Sequence, residues 1–213
     1  MEKLDLKLLS KETTKAFKNA LKLCYKDHEL YPQIAGVGFI YDEEMNVKYL
    51  MGSNGKVAIS FRVDFPDEFN NKVLDKEGNV ISTNYPKISL PNEFTKTIEL
   101  NVEELKSLYE QATKEVKELK LTASKLKKQR QKIGVPIADK FEVDYFSFKE
   151  LLKAIEMVGN ANIHLNEDNY NYKGVFFKPD KSVVGVVHNQ YLGFANTIKE
   201  YKEYNGIDDV DNS

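Results

Sequence analysis

The side chains best placed to do chemistry in this sequence are lysines. Lys11, Lys15, Lys18, Lys22 and Lys26 follow one another at spacings of 4, 3, 4 and 4. At about 100° per residue these ammonium groups fall on one side of a helix, with Phe17, Ala20, Leu21 and Cys24 on the other. Like charges four residues apart cost a few tenths of a kcal/mol per pair, so a helix with a purely structural task does better with alternating signs. Evenly spaced cations suit phosphates instead, a contact that ignores base sequence and is driven by counterion release. A second concentration runs through Lys114, Lys117, Lys120, Lys125, Lys127, Lys128, Arg130 and Lys132, against only Glu115 and Glu118. Lys149 and Lys153 stand on a third helical pattern of mixed charge.

Other constellations are missing. His28, His164 and His188 have no His, Cys or HExxH-type partner at metal-ligand spacing. Cys24 is the only cysteine, which excludes an internal disulfide and a zinc site of paired thiolates. Gly36-Val37-Gly38 lies within a strand pattern and opens no helix, and Gly52-Ser53-Asn54-Gly55 reads as a hairpin turn without the Lys-Ser/Thr of a phosphate loop. Asp42-Glu43-Glu44 and Glu167-Asp168 sit in turn signals, and no Ser or Cys occupies a nucleophile elbow. The expectation is a binding protein with no catalytic residues, no cofactor and no metal.

Composition agrees. The chain has 213 residues, 41% hydrophobic, enough for one large or two small cores. Its net charge of −2 predicts no polyanion partner by itself. The charge is unevenly spread, basic on particular helices and acidic from Asp208 to Asp211. No apolar run approaches the roughly 20 residues of a membrane span, and the first ten residues lack the core of a secretory signal. A cytoplasmic protein away from membranes is expected.

The elements that must position the lysines repeat along the chain. Residues 5–9, 97–100 and 142–146 each read as a short strand ending at a helix N-cap: Ser10, Asn101 and Ser147. After the first helix, strand patterns cover residues 33–41, 47–51 and 56–65; after the third, they cover 162–165, 173–178 and 182–188. The fold class is therefore α+β, with two complete units of strand, helix and three-strand meander. Between them residues 102–133 read as one long basic helix with an apolar stripe of Leu105, Leu108, Ala112, Val116, Leu119, Ala123 and Leu126. Residues 66–91 read as an irregular ribbon containing a boundary. The organisation expected is a first unit over 1–91, a second over 92–194 and a mobile acidic tail, opening with a short helix, over 195–213.

This ordering resembles the DNA sliding clamps: the bacterial DNA polymerase III β subunit, the eukaryotic and archaeal clamps, and the phage accessory clamps. Leu9-Ser10-Lys11-Glu12-Thr13-Thr14-Lys15 with Phe17 and Leu21 is similar to the first helix of phage clamps, and residues 50–60 resemble a strand, turn and strand of bacterial clamps. Residues 85–105 resemble a linker into a second clamp domain, and residues 148–155 the helix opening the last half-domain. The resemblance implies a non-catalytic processivity factor that encircles or rides on duplex DNA without sequence preference and tethers a DNA polymerase or other replication protein. It implies a homo-oligomer, with three copies closing a ring of six domains if each chain supplies two, and Ser182 to His188 as a pairing edge. The DNA-contacting residues would be Lys11, Lys15, Lys18, Lys22, Lys26, Lys114, Lys117, Lys125, Lys128, Lys132, Lys149 and Lys153. The competing reading is an assembly protein that pairs through the 102–133 helix, its lysines serving only solvation.

Overall fold

Both meanders form where alternation and turn residues place them. The computed structural model describes residues 2–26, 29–85, 94–138, 141–168, 171–188 and 194–207. Strands β1 (Val37–Asp42), β2 (Val47–Ser53) and β3 (Val57–Arg62) pair antiparallel. Strands β9 (Ala161–Asp168), β10 (Asn171–Phe177) and β11 (Val183–His188) do the same. The ribbon after β3 contributes β4 (Lys72–Leu74) and β5 (Val80–Ser82), and β6 (Lys96–Leu100) precedes the middle helix. All join one nine-stranded sheet in the order β5-β4-β1-β2-β3-β11-β10-β9-β6.

The seam between the two meanders is β3 against β11, with Ile59 opposite Gly185. The valine-rich run from Ser182 to His188 is thus an interior strand and not the edge its lack of charge suggested. Val183, Val186 and Val187 are buried, as a strand flanked on both sides requires. The sheet ends at β5 and β6, and residues 2–4 lie along the outer side of β5, where the Val80 amide donates to the Glu2 carbonyl at 3.0 Å.

One face of this sheet carries the helices. Across the pairing register, Phe39, Leu50 and Phe61 share that face, as do Ile59, Gly185, Phe176 and Ile163. They form a single core with Phe17, Phe148, Leu151 and Ile155. Helix α1 (Lys11–Leu21) starts at Ser10, whose Oγ accepts from the Thr13 amide at 3.0 Å. Thr13 has its own use: its hydroxyl donates to the Asp64 carbonyl at 2.8 Å and ties the helix start to the chain beyond β3. Gly52 lets α1 sit close on β2, since a Cβ there would run into the Ala20 carbonyl. Helix α4 (Tyr145–Val158) packs on α2 (Val102–Glu118) and, within the sheet, chiefly on β11 and β3, while α1 packs on β2 and β3, so α1 and α4 lie over neighbouring strands of one face.

Several local expectations are corrected. The cap of α4 is Asp144, which accepts from the Phe146 amide at 3.0 Å; Ser147 lies inside the helix. Residues 5–9 form a 3-10 turn at Leu6–Leu8 because the Asp5 carboxylate accepts from the Lys7 amide at 3.0 Å and bends the chain. The long helix of residues 102–133 is two helices, α2 (Val102–Glu118) and α3 (Ala123–Lys128). Lys120 takes a left-handed φ of 50°, and the Leu121 amide donates to the Val116 carbonyl at 3.0 Å. That is the pairing of a Schellman stop, completed by burial of Leu121 with Val116. Thr122 then caps α3 through the Lys125 amide at 3.1 Å. The apolar stripe turns with the break, burying Leu121 and exposing Ala123. Lys120→Gly should therefore raise stability by about 0.5 kcal/mol, measured as a denaturant midpoint, since glycine adopts that φ without strain.

Strands β7 (Gly134–Ala138) and β8 (Phe141–Asp144) form a separate antiparallel pair leading into α4. Residues 195–207 are not a free tail: helix α5 (Ile198–Tyr204) buries Ile198 and Tyr201, and the Gly134 amide donates to the Asn196 carbonyl. The acidic run at 208–211, the linker residues 86–93, Tyr191, Leu192 and His28 lie outside the described residues.

Half-burial against α5 raises the Glu142 carboxyl above its usual range, with the Glu200 charge adding to it. A raised folded-state value favours the protonated form, so folding loses stability as pH rises through the carboxylate range. Glu142→Gln should raise the melting temperature at neutral pH, and the gain should shrink towards zero as pH falls below about 4.

Candidate nucleic-acid interface

The basic residues divide between two places. Lys11, Lys15, Lys18 and Lys22 are all exposed on the outer side of α1, opposite the buried Ala16, Phe17 and Ala20. Lys22 is the helix cap, its ammonium donating to Asn19 Oδ1 at 2.8 Å, and Lys26 lies beyond the helix on the same exposed side. Across from them stands the start of α4. Lys22, Lys26, Lys56, Lys149 and Lys153 line one cleft of about 880 Å³, together with Tyr25, Phe146, Ser147, Glu29 and Glu150. The sequence placed the two helices in separate units; the β3–β11 seam brings their lysines together.

Lys56 was not among the expected site residues. It sits in the turn between β2 and β3, and its ammonium donates to Asp144 Oδ2 and to Ser147 Oγ, both at 2.8 Å. Asp144 and Ser147 are buried while the Lys56 side chain stays about a third exposed. One cation thus locks the first meander to the cap of α4 and still faces the cleft. A signal for it was present in the turn, where Asn54 Oδ1 accepts from the Lys56 and Val57 amides and fixes the direction in which Lys56 leaves. Phe146 was placed in a strand, yet counting from Asp144 puts it three and seven residues before Lys149 and Lys153, on one helical face.

The remaining expected lysines are elsewhere. Lys114 and Lys117 are exposed on α2, Lys125 and Lys128 on α3, and Lys132 in the loop before β7. None lines the cleft. Helix α2 joins the rest through α4: Tyr109 stacks on Tyr145 and Phe148 at ring distances of 5.9 and 5.4 Å, and Lys106 pairs with Glu156 at 3.3 Å. Among the described residues, Lys114 pairs with Glu118 at 3.9 Å and Lys153 with Glu150 at 3.0 Å, while the other expected lysines make no ion pair. Such exposed pairs contribute little to stability.

Three other titratable groups lie apart from the cleft lysines or are tied into the fold. Burial pushes the Cys24 thiol up to about 12, with the Ser53 backbone lowering it slightly, so it is no nucleophile at neutral pH. His164 lies between Phe94 and Phe177 and meets the Thr97 hydroxyl at 3.0 Å. Lys48 is held by Asp67 and Asp64, which raise its value, and serves as a structural cation. Among the described residues no three metal-ligating side chains cluster, and no helix is long and apolar enough to cross a membrane.

No family model and no curated protein matches the sequence. The fold does have counterparts among solved structures. The Helicobacter pylori beta clamp bound to a DNA ligase peptide superposes with a TM-score of 0.57 at 15% identity, covering 83% of this chain and 63% of that one. DNA polymerase III subunit beta from Borrelia burgdorferi, in complex with a natural product, gives 0.59 at 13% identity, covering 86% and 62%. The chain thus spans a little under two thirds of the length of these proteins, and it shares their fold.

Proposed function

We propose that this chain, folded like the bacterial beta clamps, is a non-catalytic processivity factor that rides on or encircles duplex DNA and tethers a DNA polymerase or another replication protein to it. The observation that carries this reading is the placement of α1 and α4 side by side on one face of a continuous sheet, with exposed lysines of both turned away from the shared core. A rigid layer holding cations at fixed spacing fits a phosphate backbone and reads no base sequence. Lys11, Lys15, Lys18, Lys22, Lys26, Lys149 and Lys153 are the primary contacts in this reading. Lys114, Lys117, Lys125, Lys128 and Lys132 form a second basic surface on α2, α3 and the following loop.

The reading includes assembly, a cytoplasmic setting and a phage-like origin. Residues 1–91 and 92–194 serve as two clamp-like units. The end strands β5 and β6 lie at opposite ends of one sheet, and copies meeting head to tail through these ends, with residues 2–4 part of the β5 end, would close only at a fixed number; three is the expected number. Light scattering across a dilution series should show a trimer, or a monomer exchanging with one. A strict monomer at high concentration, on DNA and off it, would remove the ring from the account.

The assembly-protein reading has lost its basis. Its long helix is broken at Lys120, and Leu105, Ala112 and Val116 are buried within this chain.

A further inference from the structure

The cleft between α1 and α4 holds more than phosphate contact needs. Tyr25 and Phe146, 38% and 40% exposed, stand in a cleft whose charged lining is mostly lysine. Tyr25 is fixed at the α1 end, its amide donating to the Ile34 carbonyl at 2.8 Å and the Ser53 carbonyl at 3.2 Å. Phe146 is fixed at the α4 end by the Asp144 cap. Among the described residues each ring has one aromatic neighbour in edge geometry, Tyr31 at 5.6 Å and Tyr145 at 5.0 Å. One such contact covers at most one face of a ring, so each keeps a face clear of aromatic neighbours among the described residues. A duplex has nothing to lay on those faces, because its bases stack on one another and offer only their edges.

We propose that this cleft takes a short stretch of single-stranded DNA, with unpaired bases stacking on Tyr25 and Phe146 and phosphates held by Lys22, Lys26 and Lys149. A positive groove with aromatic platforms is the arrangement that binds single strands without sequence preference. The charge balance favours an anion: five lysines stand against Glu29, Glu150 and Asp144, and of these acids Glu150 pairs with Lys153 and Asp144 with Lys56. The inference rests on the reading of the α1 and α4 surface as the DNA-binding face and adds to it a preference for places where duplex gives way to single strand.

The test compares three labelled DNAs: a blunt duplex, the same duplex with an oligothymidylate overhang of about 12 nucleotides, and the oligothymidylate alone. The unmodified protein should bind the tailed duplex about ten-fold or more tighter than the blunt one, and Tyr25→Ala with Phe146→Ala should abolish that difference while blunt-duplex affinity stays within about two-fold. Equal binding of tailed and blunt duplex by the unmodified protein, or a preference that survives the double variant, overturns the inference. Failure to bind the blunt duplex at all overturns the parent reading instead. Should the double variant fold poorly, photocrosslinking of a 5-iodouracil-substituted tail to the unmodified protein decides: adducts on Tyr25 or Phe146 support the cleft, and adducts only elsewhere sink it.

Discussion

Lys18→Glu, Lys22→Glu and Lys149→Glu combined are expected to weaken binding to duplex DNA about 100-fold or more at roughly 0.1 M salt. Each phosphate contact contributes close to a factor of ten at that salt, and the log–log salt slope should flatten by roughly 3 as three contacts are lost. The fold should survive, because these side chains point away from the core formed by Phe17, Ala20 and Leu151. Anisotropy titrations over a range of salt, with a melting curve beside them, give both quantities. Unchanged affinity in a folded triple variant would mean that the lysine rows only solvate their helices.

Val116→Asp should have the largest effect on stability, a loss of about 3–4 kcal/mol. Val116 is only 4% exposed, and its carbonyl receives the Leu121 amide that ends α2. A carboxylate there would be buried among Leu105, Ala112 and Leu121, apolar members of the same core. The expected outcome is an unfolded or molten protein by circular dichroism and near-ultraviolet signal. A well-folded monomer formed from a parent oligomer would show instead that this face is a seam between copies.

The parts legible in the sequence were those set by short-range rules. Ser10 and Asn101 cap the helices expected of them, and the Asn46 and Gly55 turns separate the strands of the first meander. The lysine row of α1 is exposed as its spacing required. The errors arose where tertiary contacts outweighed local pattern. The helical spacing from Leu105 to Leu126 continues across Lys120, but burying Leu121 favours a stop there over another turn of helix. Asp144 and not Ser147 caps α4, and both side chains meet Lys56, 88 and 91 residues away, a contact that no local pattern records. The cleft was invisible for the same reason: Lys22 and Lys149 become neighbours only through the pairing of Val57 with Val187, and a one-dimensional pattern holds no record of which strands meet.

Under the proposed clamp reading, the protein would be held on DNA by topology as well as by charge. The most direct measurement assembles it on a nicked circular duplex by concentrating a dilute stock, then raises salt to about 1 M, where phosphate contacts contribute little. The complex is separated by gel filtration before and after the circle is cut once. Retention on the circle at high salt and release on cutting are the expected results. Loss from the circle at the same salt as from linear DNA, or retention unaffected by the cut, would contradict the clamp reading.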